Sequence, residues 1–222
     1  MLVKSWMTSD VITVDEDTSM MKASQIMNEN NIRRLPVMSN GKLVGMVTDR
    51  DIKEASPSKA NTLDIHELYY LLSELKIKDF MNKKLVTIRP DETVGKAAFK
   101  MLEHRVSGLP VVNNKGKVVG IITQRDILKV LVSLTGIYQG GVQFAFNLED
   151  RPGSIKEVVD IIRKQGGRVI SILTSYDMTE ENCRQVYVRI KEMPEGKLKA
   201  LNEELDKNFI LLYMIKDSLK DL

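Results

Sequence analysis

Apolar residues recur at helical spacing twice in the first half of the chain. Met20, Ala23 and Met27 mark one helical face, and Val94, Ala97, Ala98 and Met101 mark another. Spacings of three, four and seven place such residues on one stripe, so each stretch predicts an amphipathic helix. Short apolar runs flank both. Val11–Val14 and Leu85–Ile88 precede the helices; Leu35–Met38 with Leu43–Val47, and Leu109–Val112 with Val118–Ile122, follow them. Runs of this length, rich in β-branched residues, predict strands, and Pro36 and Pro110 suit strand starts or edges. Ser39-Asn40-Gly41 and Asn113–Gly116 separate the paired runs as turns, and Asn30-Asn31 ends the first helix.

The two halves are one unit written twice. At an offset of 74, Met7 meets Met81, Thr13 meets Thr87 and Leu35-Pro36-Val37 meets Leu109-Pro110-Val111. One inserted residue near Asn113–Lys115 moves the offset to 75, where Gly45 meets Gly120 and Thr48-x-Arg50-Asp51-Ile52 meets Thr123-x-Arg125-Asp126-Ile127. Each unit predicts β-α-β-β-α, too small to bury both faces of its own sheet, so two copies are expected to pack together.

GMVTDRD (Gly45–Asp51) and GIITQRD (Gly120–Asp126) each join the end of a strand to a helix start. Two uses fit Thr-x-x-Asp here. In a capping box, Thr48 or Thr123 caps the helix while Asp51 or Asp126 reaches back to the cap. In a nucleotide cradle, the free N–H groups and the hydroxyl meet phosphate, and the carboxylate accepts from a ribose diol. Duplication favours neither, because a duplicated fold duplicates its caps.

The starts SWMTSDVITV and DFMNKKLVTI, the LPV strands and the two corner motifs resemble a tandem pair of CBS domains, a Bateman module, from about Leu2 to Leu131. The resemblance implies an α+β fold of two β-α-β-β-α units in a pseudo-twofold pair. It also implies two clefts for adenosine-containing ligands such as AMP, ADP, ATP or S-adenosylmethionine. Carried over by position, cleft one uses Thr13, Val14, Leu35, Pro36, Thr48 and Asp51. Cleft two uses Thr87, Ile88, Leu109, Pro110, Thr123 and Asp126. Arg33, Arg34 and Arg50 flank the first cleft, and Arg105 and Arg125 the second; guanidinium forks match phosphate oxygens. Solvated surface is the other use of such arginines. Because Arg33-Arg34 corresponds to Ser107-Gly108, cleft one is the expected site of a polyphosphate.

Residues 56–77 predict a connector: Ser56-Pro57-Ser58 breaks a helix, and Leu63, Ile65, Leu68, Leu71, Leu72 and Leu75 mark an amphipathic one carrying His66, Tyr69 and Tyr70. The second unit covers 78–135, Gly136 ends its last helix, and residues 136–141 with Gly140-Gly141 predict a flexible joint. Beyond it, Val142, Phe144, Phe146 and Leu148 alternate as a half-buried strand. Ser154 is a candidate cap for a helix carrying Ile155, Val158, Val159 and Ile162, which Gly166-Gly167 stops. Strands at Val169–Tyr176 and through Val186, Val188 and Ile190, a helix with Leu198, Leu201 and Leu205, and a strand at Ile210–Ile215 complete βαββαβ. The turn Leu148–Ile155 and the double glycine resemble an ACT domain, a ferredoxin-like fold, over 142–217. That resemblance implies side-by-side dimers and an amino acid held near Asp150, Pro152, Gly153 and Ser154. A tight turn without ligand fits the same residues. A CBS pair followed by an ACT domain resembles acetoin-utilisation regulators.

Composition narrows the rest. The 222 residues carry 33 basic and 30 acidic side chains without a basic block, which gives nucleic-acid binding little support. Cys183 is the sole cysteine, so no internal disulfide forms and a reducing compartment is expected; with only His66 and His104 beside it, no metal site is expected. No run approaches 18 apolar residues and no leader is visible, so a cytoplasmic protein without membrane contact is expected. No nucleophile–base pair or phosphate loop appears. The expectation is a non-catalytic sensor without cofactor: a homodimer whose regulatory ligand is an adenine nucleotide, acting on an unknown downstream protein. A nucleic-acid-binding regulator is the alternative, and an enzyme with an unrecognised site the next.

Overall fold

The computed structural model describes residues 1–56, 74–177 and 179–217. The chain forms two compact units, Met1–Ile127 and Leu128–Leu222. The connector residues Pro57, Ser58, Leu63, Ile65, His66, Leu68, Tyr69, Tyr70, Leu71 and Leu72 lie outside the described residues.

In the first unit, β1 (Val14–Asp15) runs parallel to β2 (Arg34–Ser39), which pairs antiparallel with β3 (Lys42–Thr48). Helix α1 (Met20–Glu29) precedes β2, and α2 (Asp49–Ala55) follows β3. The second copy has α3 (Ile77–Phe80), α4 (Val94–Glu103), the antiparallel pair β4 (Gly108–Val112) and β5 (Val118–Thr123), and α5 (Gln124–Thr135). Ser19 and Thr93 cap α1 and α4 by accepting from Lys22 and Lys96 N–H, satisfying donors the helix leaves orphaned. Both helices end alike. Asn31 and Arg105 adopt positive φ, and the next N–H, of Ile32 or Val106, returns to Met27 or Met101 carbonyl at 2.9 and 3.0 Å. Asparagine suits that conformation; arginine does so at a cost.

The predicted strand Val11–Val14 shrinks to Val14–Asp15, and Leu85–Ile88 to a single parallel bridge, Ile88 to Val111. Pro36 and Pro110 are not at strand starts; they sit inside β2 and β4, opposite Met46 and Ile121. The reason is a crossed arrangement. Met46 N–H donates to the Asn82 carbonyl (3.0 Å) and Met46 C=O accepts from Asn82 N–H (2.9 Å), and Ile121 exchanges the same pair of bonds with Thr8 (2.9 Å each). Those residues therefore ask nothing of the prolines, which have no N–H to give. The lead segment of each repeat thus docks on the last strand of the other. A Cβ on Gly45 would collide with the Met81 side chain, and one on Gly120 with Met7. The core beneath gathers Val14, Met20, Ala23, Met27, Leu35, Val37, Val47, Ile52, Ile77 and Met81.

In the second unit, β6 (Val142–Glu149), α6 (Ser154–Lys164), β7 (Val169–Ser175), β8 (Cys183–Ile190), α7 (Glu195–Asn208) and β9 (Ile210–Lys216) form βαββαβ. The antiparallel sheet runs β7-β8-β6-β9. Alternate residues of β6 and β8 (Val142, Phe144, Phe146, Val186, Val188, Ile190) bury against Val158, Ile162, Leu198, Leu201 and Leu205 of the helices.

One expectation changes here. The joint 136–141 is tied down rather than loose. Buried Arg189 donates to Thr135 carbonyl (2.9 Å), Gly140 carbonyl (3.4 Å) and Gln143 Oε1 (2.9 Å), and pairs with Asp217 (2.6 Å). Ser171 also donates to Thr135 carbonyl at 2.8 Å. Gly141 has φ +90° and lies so close to the Ile190 carbonyl that a Cβ would collide with it. Close backbone approach, not freedom, is why glycine stands there. Cys183 opens β8 opposite Glu149 and is half-buried.

Candidate functional site

Both corners form capping boxes. Thr48 N–H and Oγ1 donate to Asp51 Oδ2 at 2.7 Å each, and Asp51 N–H returns to Thr48 Oγ1 at 3.3 Å. Thr123 and Asp126 repeat this at 3.0, 2.7 and 3.4 Å. A carboxylate only accepts, so the threonine hydroxyl spends its single proton on it. In this conformation neither threonine has a donor left for a phosphate, which corrects that part of the cradle. Helix α2 is only seven residues long, and its start already carries Asp49 and Asp51. Positive charge for an anion must come from elsewhere.

The same box leaves Asp51 useful. Among the described residues its side-chain hydrogen bonds fall on Oδ2, and the half-exposed side chain lines a cavity of about 710 Å³. That volume lies within the range of small-ligand sites, roughly 300–1,000 Å³. The walls come from both repeats. Arg33, Arg34, Met46, Thr48, Asp49, Arg50 and Asp51 belong to the first; Asn82, Lys84, Leu85, Val86, Met101, Leu102, Arg105, Val106, Ser107, Gly108, Pro110 and Gln124 to the second.

The cavity therefore redistributes the expected residues. Arg33, Arg34, Thr48, Arg50 and Asp51 of the proposed first cleft come together, and Pro110 and Arg105, assigned to the second, join them. Thr13, Val14, Leu35 and Pro36 do not line it. Leu35 and Leu109 are fully buried in the core, and Val14 and Ile88 nearly so. Their side chains pack the protein interior. Thr13 is exposed, and Thr87 offers its carbonyl to Lys100 Nζ at 2.9 Å. Asp126 is 8% exposed, and neither it nor Thr123 nor exposed Arg125 lines this cavity. Crossing of the lead segments explains the mixing: it brings the 82–86 stretch, one repeat away, beside the Thr48 corner. The missed signal was Gly45 and Gly120 in mid-strand, a mark of close approach by another segment.

Arg34 gives this site its asymmetry. Its guanidinium donates to the Ser107 carbonyl and, at 2.9 Å, to Ser107 Oγ, reaching across to the other repeat. It fits because its counterpart is Gly108, where any Cβ would strike the Arg34 side chain. Burial pulls the Arg34 pKa down; Asp49 and Asp126 oppose this, and Arg33 adds to it.

In the second unit, Ser154 is not the cap of α6. Gly153, at φ +92°, holds that position, while Ser154 is buried, donates to Arg151 carbonyl (3.1 Å) and accepts from Arg184 (3.0 Å). Arg184 also approaches Asp150 at 3.4 Å. Asp150, Pro152 and Gly153 are exposed around it. Arg184 was not anticipated, since only strand pairing brings it to the turn.

The family signature described as the CBS domain matches residues 3–58 and 77–133. The chain belongs to the CBS-domain family. It is 35% identical over 134 residues to a CBS domain-containing protein of Dictyostelium discoideum, covering 60% of this chain and 92% of that one. Among solved structures it resembles the CBS domain pair of protein MJ0100 in complex with 5′-methylthioadenosine and S-adenosyl-L-methionine. The TM-score is 0.50 at 32% identity, over 60% of this chain and 97% of that one. It also resembles a Vibrio cholerae protein provisionally named as an acetoin utilization protein (AcuB). There the TM-score is 0.51 at 26% identity, over 63% and 96% of the two chains. The chain spans 24% of the homoserine O-acetyltransferases of Methanosalsum zhilinae and Methanohalobium evestigatum, which it matches at 38 and 35% identity. Among the described residues, no His, Cys, Asp and Glu cluster could hold a metal, and no helix is long and apolar enough to cross a membrane.

Proposed function

We propose that this CBS-domain protein is a non-catalytic regulator that binds an adenosine-containing ligand in the cavity beside Thr48 and Asp51. The cavity carries the reading: it is of ligand size, and it holds a carboxylate oxygen, Asp51 Oδ1, that has no hydrogen-bond partner among the described residues, beside half-buried apolar walls, Leu85, Val86 and Val106. Asp51 accepts from the ribose diol through Oδ1 while Oδ2 keeps the cap. The MJ0100 pair, in complex with two adenosine derivatives, supports the ligand class. The acetyltransferases share only a quarter of their length with this chain, so their names carry no chemistry to it.

The C-terminal unit is read as an ACT domain holding an amino acid at Asp150, Pro152, Gly153 and Ser154, with Arg184 as an added carboxylate partner. The working form is a cytoplasmic homodimer whose ligands shift its arrangement toward an unknown downstream protein; each must bind one arrangement better than the other. The acetoin-utilisation reading rests on the order of the domains and on the likeness to the Vibrio protein. Native mass spectrometry of freshly purified protein, followed by calorimetry with ATP, AMP and S-adenosylmethionine, tests the reading. Copurified or titrated adenosine ligand is expected, with affinity lost in Asp51→Ala. Absence of binding by all three rejects it.

A further inference from the structure

The charges around the cavity are lopsided, and their pairing is incomplete. Arg33, Arg34, Lys84 and Arg105 line it with Arg50, against Asp49 and Asp51. Arg50 is spent on Glu54 at 2.7 Å, and Asp49 approaches Lys53 at 3.7 Å. Among the described residues, Arg33, Lys84 and Arg105 form no ion pair, and Arg34 contacts only neutral acceptors on Ser107. Four cations facing one half-enclosed space repel each other unless an anion joins them. Two details show that their placement has a cost. Arg105 sits at a helix end in the left-handed conformation, where its counterpart is Asn31. Arg34 is partly desolvated with no carboxylate hydrogen-bonded to it, and its pKa is depressed for that reason. The capping box has removed the threonine hydroxyl as a phosphate donor, so these side chains are the available ones.

We infer that the cavity selects adenosine carrying two or three phosphates, with Arg33, Arg34, Lys84 and Arg105 as the residues that decide against thioether and sulfonium derivatives. This rests on the adenosine reading above. A sulfonium adds positive charge to an already positive wall, and a thioether leaves the four cations unsatisfied. A polyphosphate supplies the acceptors they lack, and guanidinium forks bind it through paired charge-assisted bonds. The lead segment contributes Lys84 and the second repeat Arg105, so selectivity comes from the crossed geometry rather than from either motif.

Calorimetry on the full chain separates the alternatives, using ATP, ADP, adenosine, 5′-methylthioadenosine, S-adenosylmethionine and inorganic tripolyphosphate. ATP and ADP should bind at least about tenfold more tightly than the three ligands without phosphate, and the gap should narrow as salt rises. Arg33→Ala with Arg105→Ala, both exposed side chains whose loss spares the core, should lower ATP affinity by roughly a hundredfold or more and leave adenosine within about twofold. Arg33→Lys with Arg105→Lys should recover part of the loss. Equal or tighter binding of S-adenosylmethionine or 5′-methylthioadenosine overturns the inference while the adenosine reading stands. An equal drop for every ligand in the alanine variant also overturns it. Tripolyphosphate binding as tightly as ATP supports the cation cluster but removes the adenosine reading, and silence from all six ligands removes both.

Discussion

The two strand-to-helix corners share motif, capping box and position in the repeat, yet only the first lines the cavity described above. Asp51 is half-exposed there, whereas Asp126 is 8% exposed and Arg34 reaches toward its repeat to bond Ser107. A repeated motif guarantees a repeated local structure because caps are local. Whether a cap also lines a cavity depends on side chains at other positions, here Arg34 against Gly108 and Arg105 against Asn31, which duplication is free to change.

The strongest way to break the comparison is in the core. Leu35→Ala and Leu109→Ala should each cost about 2–5 kcal/mol of stability, because both fill space with no exposure. Thermal melts should show similar losses for both, and ligand affinity of the remaining folded protein should be unchanged. A selective loss of affinity in either would return that leucine to the ligand. Next come the acids themselves. Asp51→Ala should weaken an adenosine ligand by about 1.5–3 kcal/mol, the range for hydrogen bonds to a charged group. Asp126→Ala should leave affinity alone. Both should lose about 1 kcal/mol of stability from the cap, with Asp126 the larger since it is buried. Calorimetry and melts on the same two proteins separate the effects, and equal affinity losses would show that both corners bind.

A smaller effect is expected at Gly108. Gly108→Ala forces the Arg34 side chain away from Ser107, costing about 0.5–1.5 kcal/mol for the displaced hydrogen bonds. The altered polyphosphate affinity should vanish in an Arg34→Ala background.

The smallest uses α6 as an outside standard, since it starts without a box. Arg151 braces that start, pairing with Glu157 at 2.7 and 2.8 Å and with Glu149 at 3.0 Å. The hydrogen bond from Arg151, with its charge, holds the Glu157 carboxyl below its usual value of 4.5. A depressed folded value means the contribution is complete above about pH 4.5 and disappears as pH falls through the lower folded value. Glu157→Gln should therefore show its small loss of melting temperature at neutral pH, and that loss should disappear in the acid window, flattening the pH dependence there.

Much of the architecture was legible because it is local. Met20, Ala23 and Met27, the Asn40-Gly41 turn with both residues at positive φ, and alternation through Phe144 and Phe146 each name an element within a few residues. The site was half legible. Thr48 and Asp51 announced a helix start and Arg33-Arg34 an asymmetry, but placing Lys84 and Arg105 beside them requires the crossing of lead segments. That crossing depends on Met81 over Gly45 and Asn82 on Met46, pairs more than thirty residues apart that no periodicity reports. The joint failed for a related reason: its glycines look supple until Arg189, some fifty residues later, bonds the carbonyls of Thr135 and Gly140.

The borrowed edges have a consequence for how such a chain is built. With Thr8 bonded to Ile121 and Asn82 to Met46, neither half owns a finished sheet. A gene encoding one repeat alone would yield a protein that completes itself only by embracing a twin. Severing the chain between the halves should then leave two fragments that fold upon mixing and not apart.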